Sequence, residues 1–155
     1  MKADGKAEAL TNPTRVRVVL DTNVLISALL SKNGVPAQLV RHIFAHATPV
    51  WSEGTFVDLE SRVWKPKFDR YLGLDDRHSY LRDARTIGLW IDVPTHLAQQ
   101  RSSRDPTDDI FVQTALAAQA TWLVTGDQDL LTVPPGLVEG LKILTPAQAL
   151  EAALA

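Results

Sequence analysis

The run VRVVL at 16–20 is short, β-branched and too apolar to alternate with polar residues, and it stops on Asp21 before an apolar helical pattern resumes. A strand without a polar face must be covered on both sides, the environment of a central strand in a parallel sheet. Comparable runs recur at 48–51, 89–93, 122–125 and 142–144. Between them lie segments with helical apolar spacing: Val24, Leu25, Ala28 and Leu29; Leu39, Val40, Ile43 and Phe44; Phe56, Leu59 and Val63; Ile110, Phe111, Thr114, Ala115 and Ala118. Strands alternating with amphipathic helices predict an α/β fold with a parallel sheet. Pro36, Pro66, Pro106 and Pro146 sit where helix starts tolerate a missing N–H, and Gly34, Gly73, Gly88 and Gly126 mark turns.

The chain has 155 residues and no internal repeat, which predicts one domain over 15–155 behind a flexible leader at 1–14. The segment LTVPPGLVEGLK at 131–142 reads as a connection to the last strand. With 16 Lys and Arg against 18 Asp and Glu, there is no overall electrostatic pull toward nucleic acid, so a polyanion must meet a local patch. No cysteine is present, which excludes disulfides and thiolate metal sites. Neither a signal-peptide core nor a membrane span is found, and a cytoplasmic location is expected.

Acids gather where strands hand over to helices. Asp21 ends the first strand, Asp127 and Asp129 follow the fourth, and Asp105, Asp108 and Asp109 open a helix in RDPTDDIFVQTAL. Right-handed crossovers bring strand-to-helix junctions to one edge of a parallel sheet, the edge where ligands bind. Each acid alone fits a helix cap or a turn. Together they would repel one another unless a cation neutralised them. With only oxygen donors on offer and four scattered His, Mg²⁺ or Mn²⁺ suits the set better than zinc. His42 and His46 have i,i+4 spacing but no third ligand, and read as surface or core-edge residues. A carboxylate-bound metal serves phosphodiester hydrolysis. No phosphate loop, dinucleotide fingerprint or Ser nucleophile elbow competes with that reading.

The motifs VVLDTNVLISALL, DPTDDIFVQTAL and LVTGDQDLL resemble, in order and spacing, those of the PIN-domain nucleases. KPKF at 65–68 and the closing ILTPAQAL are similar to the VapC-like subgroup, the toxins of toxin–antitoxin pairs. The resemblance implies a three-layer α/β/α sandwich with a central, mainly parallel sheet and four acids that bind Mg²⁺ or Mn²⁺ to cut single-stranded RNA. It assigns the catalytic acids to Asp21, Asp58, Asp108 and Asp127, with the metal on Asp21, Asp108 and Asp127. The family's usual second acid is Glu; counting back from Pro66-Lys67-Phe68 places Asp58 there, with Glu60 as the alternative. Thr22, Asn23 and Thr125 are candidates to orient the acids, and Asp105 and Asp129 for outer ligands.

The stretch SRVWKPKFDRY interleaves Arg62, Lys65, Lys67 and Arg70 with Trp64, Phe68 and Tyr71, and Arg62, Lys65 and Lys67 are RNA-contact candidates. The alternative is that the aromatics belong to the core and the charges to a solvated face. Arg101 and Arg104 are rival phosphate contacts. Expected partners are an RNA substrate, a protein antitoxin and a second copy of the chain. Two other functions remain open from sequence: an RNA-processing nuclease without antitoxin, and a catalytically impaired RNA-binding or scaffold module.

Overall fold

The computed structural model describes residues 15–103, 105–134 and 140–155; the leader, Arg104 and part of the 131–142 connection lie outside the described residues. Among the described residues five strands form one parallel sheet in the order β3-β2-β1-β4-β5: β1 Arg17–Leu20, β2 Thr48–Trp51, β3 Leu89–Trp90, β4 Trp122–Val124 and β5 Lys142–Leu144. The helices are α1 Thr22–Leu30, α2 Val35–His46, α3 Glu53–Val63, α4 Leu74–Ile87, α5 Thr95–Ala98, α6 Asp109–Ala117, α7 Gln128–Leu131 and α8 Pro146–Leu154. Two 3₁₀ turns, Pro66–Phe68 and Pro106–Asp108, begin on the prolines singled out above.

The two-residue period of the strands sorts the core into two halves. Val18, Leu20, Trp51 and Val124 point to one face, where they meet Leu25, Leu39, Ile43, Phe56, Leu59 and Ala149 of α1, α2, α3 and α8. Val19, Val50 and Leu123 point to the other, against Phe111, Val112 and Ala115 of α6 and Leu130 of α7. Helices on both faces of the sheet make the three-layer α/β/α arrangement, and explain why VRVVL carries no polar alternation.

Strand β3 is shorter than the run at 89–93. Ile91 still donates its N–H to the Trp51 carbonyl at 2.9 Å, but Pro94 then starts α5, and proline cannot extend a ladder. Helix α4 shows no apolar stripe in the sequence because only Arg77, Leu81 and Ala84 of its 14 residues are buried. It is bounded by Gly73 and Gly88. Gly88 is required sterically, since a Cβ there would lie 1.7 Å from Trp51 Nε1, the indole nitrogen that donates to the Ala84 carbonyl at 2.9 Å.

From β1 the chain moves outward through β2 to β3, then returns to β4 on the other side of β1. The crevice at the carboxyl ends of β1 and β4 is therefore the topological switch point, where open α/β sheets bind ligands.

Candidate metal centre

Asp21 is the first residue after β1, and its N–H donates to the Val124 carbonyl at 2.9 Å, so it stays beside β4. Its carboxylate caps α1, accepting from the Asn23 N–H at 3.4 Å, and accepts from Thr125 Oγ1 at 2.7 Å. Asp21 is thus a cap and a member of the crevice at once. Thr125 Oγ1 also accepts the Asp127 N–H at 3.0 Å, and Asp127 Oδ1 accepts the Asp129 N–H at 2.9 Å. This chain of short bonds aims the β4 acids at the same crevice.

The third arm comes from the Pro106–Asp108 turn. Asp105 caps it, accepting from the Thr107 N–H at 3.0 Å and Thr107 Oγ1 at 2.8 Å. Asp108 enters the crevice 7% exposed, and its Oδ2 has no hydrogen-bond partner among the described residues. Asp105, Asp108 and Asp129 each offer an oxygen within 4.8 Å of the others. Sequence reasoning gave Asp105 and Asp129 an outer place, whereas the structure brings both directly against Asp108.

Burial pushes the Asp108 carboxyl up to about 7; the charge of Asp127, a hydrogen bond shared with it, and the charges of Asp105 and Asp21 act in the same direction. Asp21 is also raised, by burial first, against the bonds from Thr125 and Asn23 that favour its ionised form; Asp127 raises it and Arg62 lowers it. Asp105 is lowered by its two bonds from Thr107, with a smaller contribution from Arg62. A pocket whose acids oppose one another's ionisation, with an orphaned buried carboxylate oxygen and no sulfur or nitrogen donor, fits a hard divalent cation. Asp105, Asp108 and Asp129 could hold it directly, with Asp127 and Asp21 beside them.

Asp58 approaches from α3, its Oδ2 accepting from Thr22 Oγ1 at 2.5 Å and its Oδ1 lying 3.4 Å from Arg62 Nε. Arg62 also donates to Asn23 Oδ1 at 3.0 Å, tying α3 to the first turn of α1. The i,i+4 spacing of Asp58 and Arg62 signals their own pair within α3, but nothing local in the sequence signals the link to Asn23. Glu60 is not brought in: it pairs with Arg85 at 3.2 Å, and Arg85 lies over the rings of Phe56 and Trp90.

Asp109 turns away from the cluster. It is 2% exposed, accepts the N–H groups of Ser102 and Ser103 at 3.0 and 2.7 Å, and pairs with Arg101 at 3.2 Å. It anchors the loop before the turn and engages one of the two rival phosphate contacts. In the basic stretch, Trp64 and Phe68 pack against the core, Lys65, Lys67 and Arg70 are exposed, and Tyr71 is the exposed aromatic. The rings of His42 and His46 meet at 4.7 Å with their planes tilted by 44°, and no other ligand-type side chain groups with them among the described residues.

The PIN domain family model matches residues 17–129. The uncharacterized protein MJ1680 of Methanocaldococcus jannaschii is 29% identical over 121 residues, 77% of this chain and 76% of that protein. Among solved structures, VapBC2 from Rickettsia felis, bound to a DNA fragment from its promoter, superposes with a TM-score of 0.55 at 16% identity, covering 83% of this chain and 98% of that one. The PIN domain of T. brucei RRP44 superposes with a TM-score of 0.51 at 14% identity, covering 92% of this chain and 83% of that one. These two similarities concern the fold. The family match spans every strand except β5 and all the acids of the crevice, and the chain belongs to the PIN domain family.

Proposed function

We propose that the protein is a Mg²⁺- or Mn²⁺-dependent endoribonuclease that hydrolyses phosphodiester bonds of single-stranded RNA, and that it is the toxin of a type II toxin–antitoxin pair. The observation that carries the catalytic reading is the convergence of Asp21, Asp105, Asp108, Asp127 and Asp129 at the switch point, with Asp108 Oδ2 left unpartnered. PIN family membership supports the nuclease class, and the fold shared with the VapBC2 complex supports a protein antitoxin.

In this reading Asp108 holds the ion with Asp105 and Asp129, whose oxygens lie within 4.8 Å of its own, and Asp21 and Asp127 complete the site beside them. A bound divalent ion supplies a polarised phosphate, a more acidic water and a stabilised leaving oxygen. The chain's own residues set that chemistry up. Thr125 Oγ1 fixes the orientation of Asp21 and the backbone of Asp127 together, and Thr107 fixes Asp105. Asp58 is the second acid, oriented by Thr22. Arg62, at the rim between Asp58 and Asn23, supplies a cation for a phosphate, with exposed Lys65 and Lys67 extending the track.

Incubating a mixed RNA pool with the protein in Mg²⁺, in Mn²⁺ and in EDTA tests the proposal: cleavage in the metal arms alone supports it. The engagement of Asp58 by Arg62 and Thr22 favours a second reading, an RNA-binding module without catalysis. Retention of RNA with no cleavage in any arm would select that one.

A further inference from the structure

A cavity of about 310 Å³ opens on the carboxyl edge next to the acids, over the ends of β2 and β3. Extending the paired register of the strands places Thr125, Asp21, Ser52 and Ile91 in one row along that edge. Ser52 and Ile91 belong to the cavity or flank it, so it begins one or two strand spacings of about 4.8 Å from Asp21. Helix α6 spans the same interval on one face, carrying Asp108 just before its start and Ile110 and Gln113 into the cavity wall. A single strand held at the acids would have a neighbouring base within reach of this opening.

Its shape and polarity are specific. Ile91, Val93 and Ile110 give apolar walls, and Gly54 lets Ile110 close over the first turn of α3, since a Cβ at 54 would lie 1.9 Å from Ile110 Cδ1. The volume sits at the low end of the range for small-molecule sites, suited to one planar ring system. Of the polar side chains that line it, Ser52 is engaged by Thr114 Oγ1 at 2.8 Å and the Thr55 N–H at 3.3 Å, which leaves Glu53, Asp92 and Gln113. The Gln113 amide nitrogen is already committed, donating to the carbonyls of Ala98 and Gln100 at 3.2 and 3.0 Å, which leaves its Oε1. Carboxylates accept as well, so all three present acceptors. Among the described residues no Lys or Arg lines the cavity, which disfavours a phosphate there.

We infer that this cavity is a nucleobase subsite for guanine in the single-stranded RNA substrate, an inference that rests on the ribonuclease reading and deepens it. Guanine presents two adjacent donors, N1–H and N2–H, to which one carboxylate can accept in a two-pronged contact. Uracil presents a single N–H between two carbonyl oxygens, which would face Glu53 and Asp92. The apolar walls hold the ring, and the acceptors choose the base.

The test uses the full chain in EDTA, so that binding is read without cleavage, with a fluorescent uridine heptamer and the same heptamer carrying one central guanosine. Guanosine should tighten binding roughly tenfold, the lower part of the range for one two-pronged base contact. Glu53→Gln and Asp92→Asn should remove that gain while leaving the all-uridine heptamer bound as before or more tightly. Equal affinity for the two heptamers, or a gain that survives in the double variant, would overturn the inference. So would saturable binding of arginine amide that needs Glu53 and Asp92 when the guanosine heptamer shows no preference, because the cavity would then take a cationic side chain. A protein that prefers guanosine but never cuts RNA would keep this subsite and lose the nuclease reading; one that cuts without base preference would do the reverse.

Discussion

Replacing Asp108 by Asn should make the metal-free protein more stable at pH 8 and no more stable at pH 4, a signature that an ordinary cap or core residue would not give. In the folded protein burial and the neighbouring acids push the Asp108 carboxyl up to about 7, against 3.8 for an ordinary Asp. Between those values the folded chain holds a proton that the unfolded chain has released, so stability falls as pH rises through the window and stays low above it. At about 1.36 kcal/mol per pH unit the full gap corresponds to ~4 kcal/mol, and water at the rim of the crevice screens this to roughly 2 kcal/mol. Asn has no charge to desolvate, and its NH₂ can donate to Asp127 as the protonated Asp108 does. For a chain of this length, ~2 kcal/mol corresponds to a rise in melting temperature of about 4–8 °C. Thermal unfolding of both proteins in EDTA at pH 4, 6 and 8 provides the assay. An Asn variant that is less stable at pH 8, or whose advantage does not change with pH, would refute the reasoning.

Thr125→Val should weaken divalent-metal binding by about 10- to 100-fold while costing only ~1 kcal/mol of stability, because it removes the hydroxyl that orients Asp21; titration calorimetry and urea unfolding separate the two effects. Asp58→Ala should slow RNA cleavage more than Glu60→Ala, since Asp58 adjoins α1 through Thr22 while Glu60 pairs with Arg85 on the other flank; initial rates on one RNA at fixed Mg²⁺ give the ranking, and the reverse order would move the second acid to Glu60. Gly88→Ala should destabilise the fold by about 1–3 kcal/mol through the clash with the Trp51 indole; an unchanged denaturation midpoint would show that Trp51 shifts freely.

The architecture was legible because its signals are dense. Each strand covered on both faces is an unbroken apolar run, and each crevice acid is the first polar residue after such a run or within one short turn of a helix start. Helix α4 was not legible, because its buried face is supplied by Arg77, Leu81 and Ala84 in a polar segment, with Arg77 pairing Asp69 at 3.0 Å and lying over Trp64. At the site, sequence adjacency misleads. Asp108 and Asp109 are neighbours, yet the change from a 3₁₀ turn to an α-helix between them sends one carboxylate into the crevice and the other onto the 102–103 backbone. The pairing of Arg62 with Asn23 spans 39 residues and depends on how α3 packs against α1, information that no local pattern contains.

Asp21, Asp105, Asp108, Asp127 and Asp129 are proposed to serve one divalent cation. Titrating Mn²⁺ into the metal-free protein and into Asp21→Asn, Asp108→Asn and Asp109→Asn tests it most directly. One site is expected in the wild type, with its loss or strong weakening in the Asp21 and Asp108 variants and its retention in the Asp109 variant. Binding that survives in Asp108→Asn and disappears in Asp109→Asn, or no binding by the wild type at millimolar Mn²⁺, would contradict it.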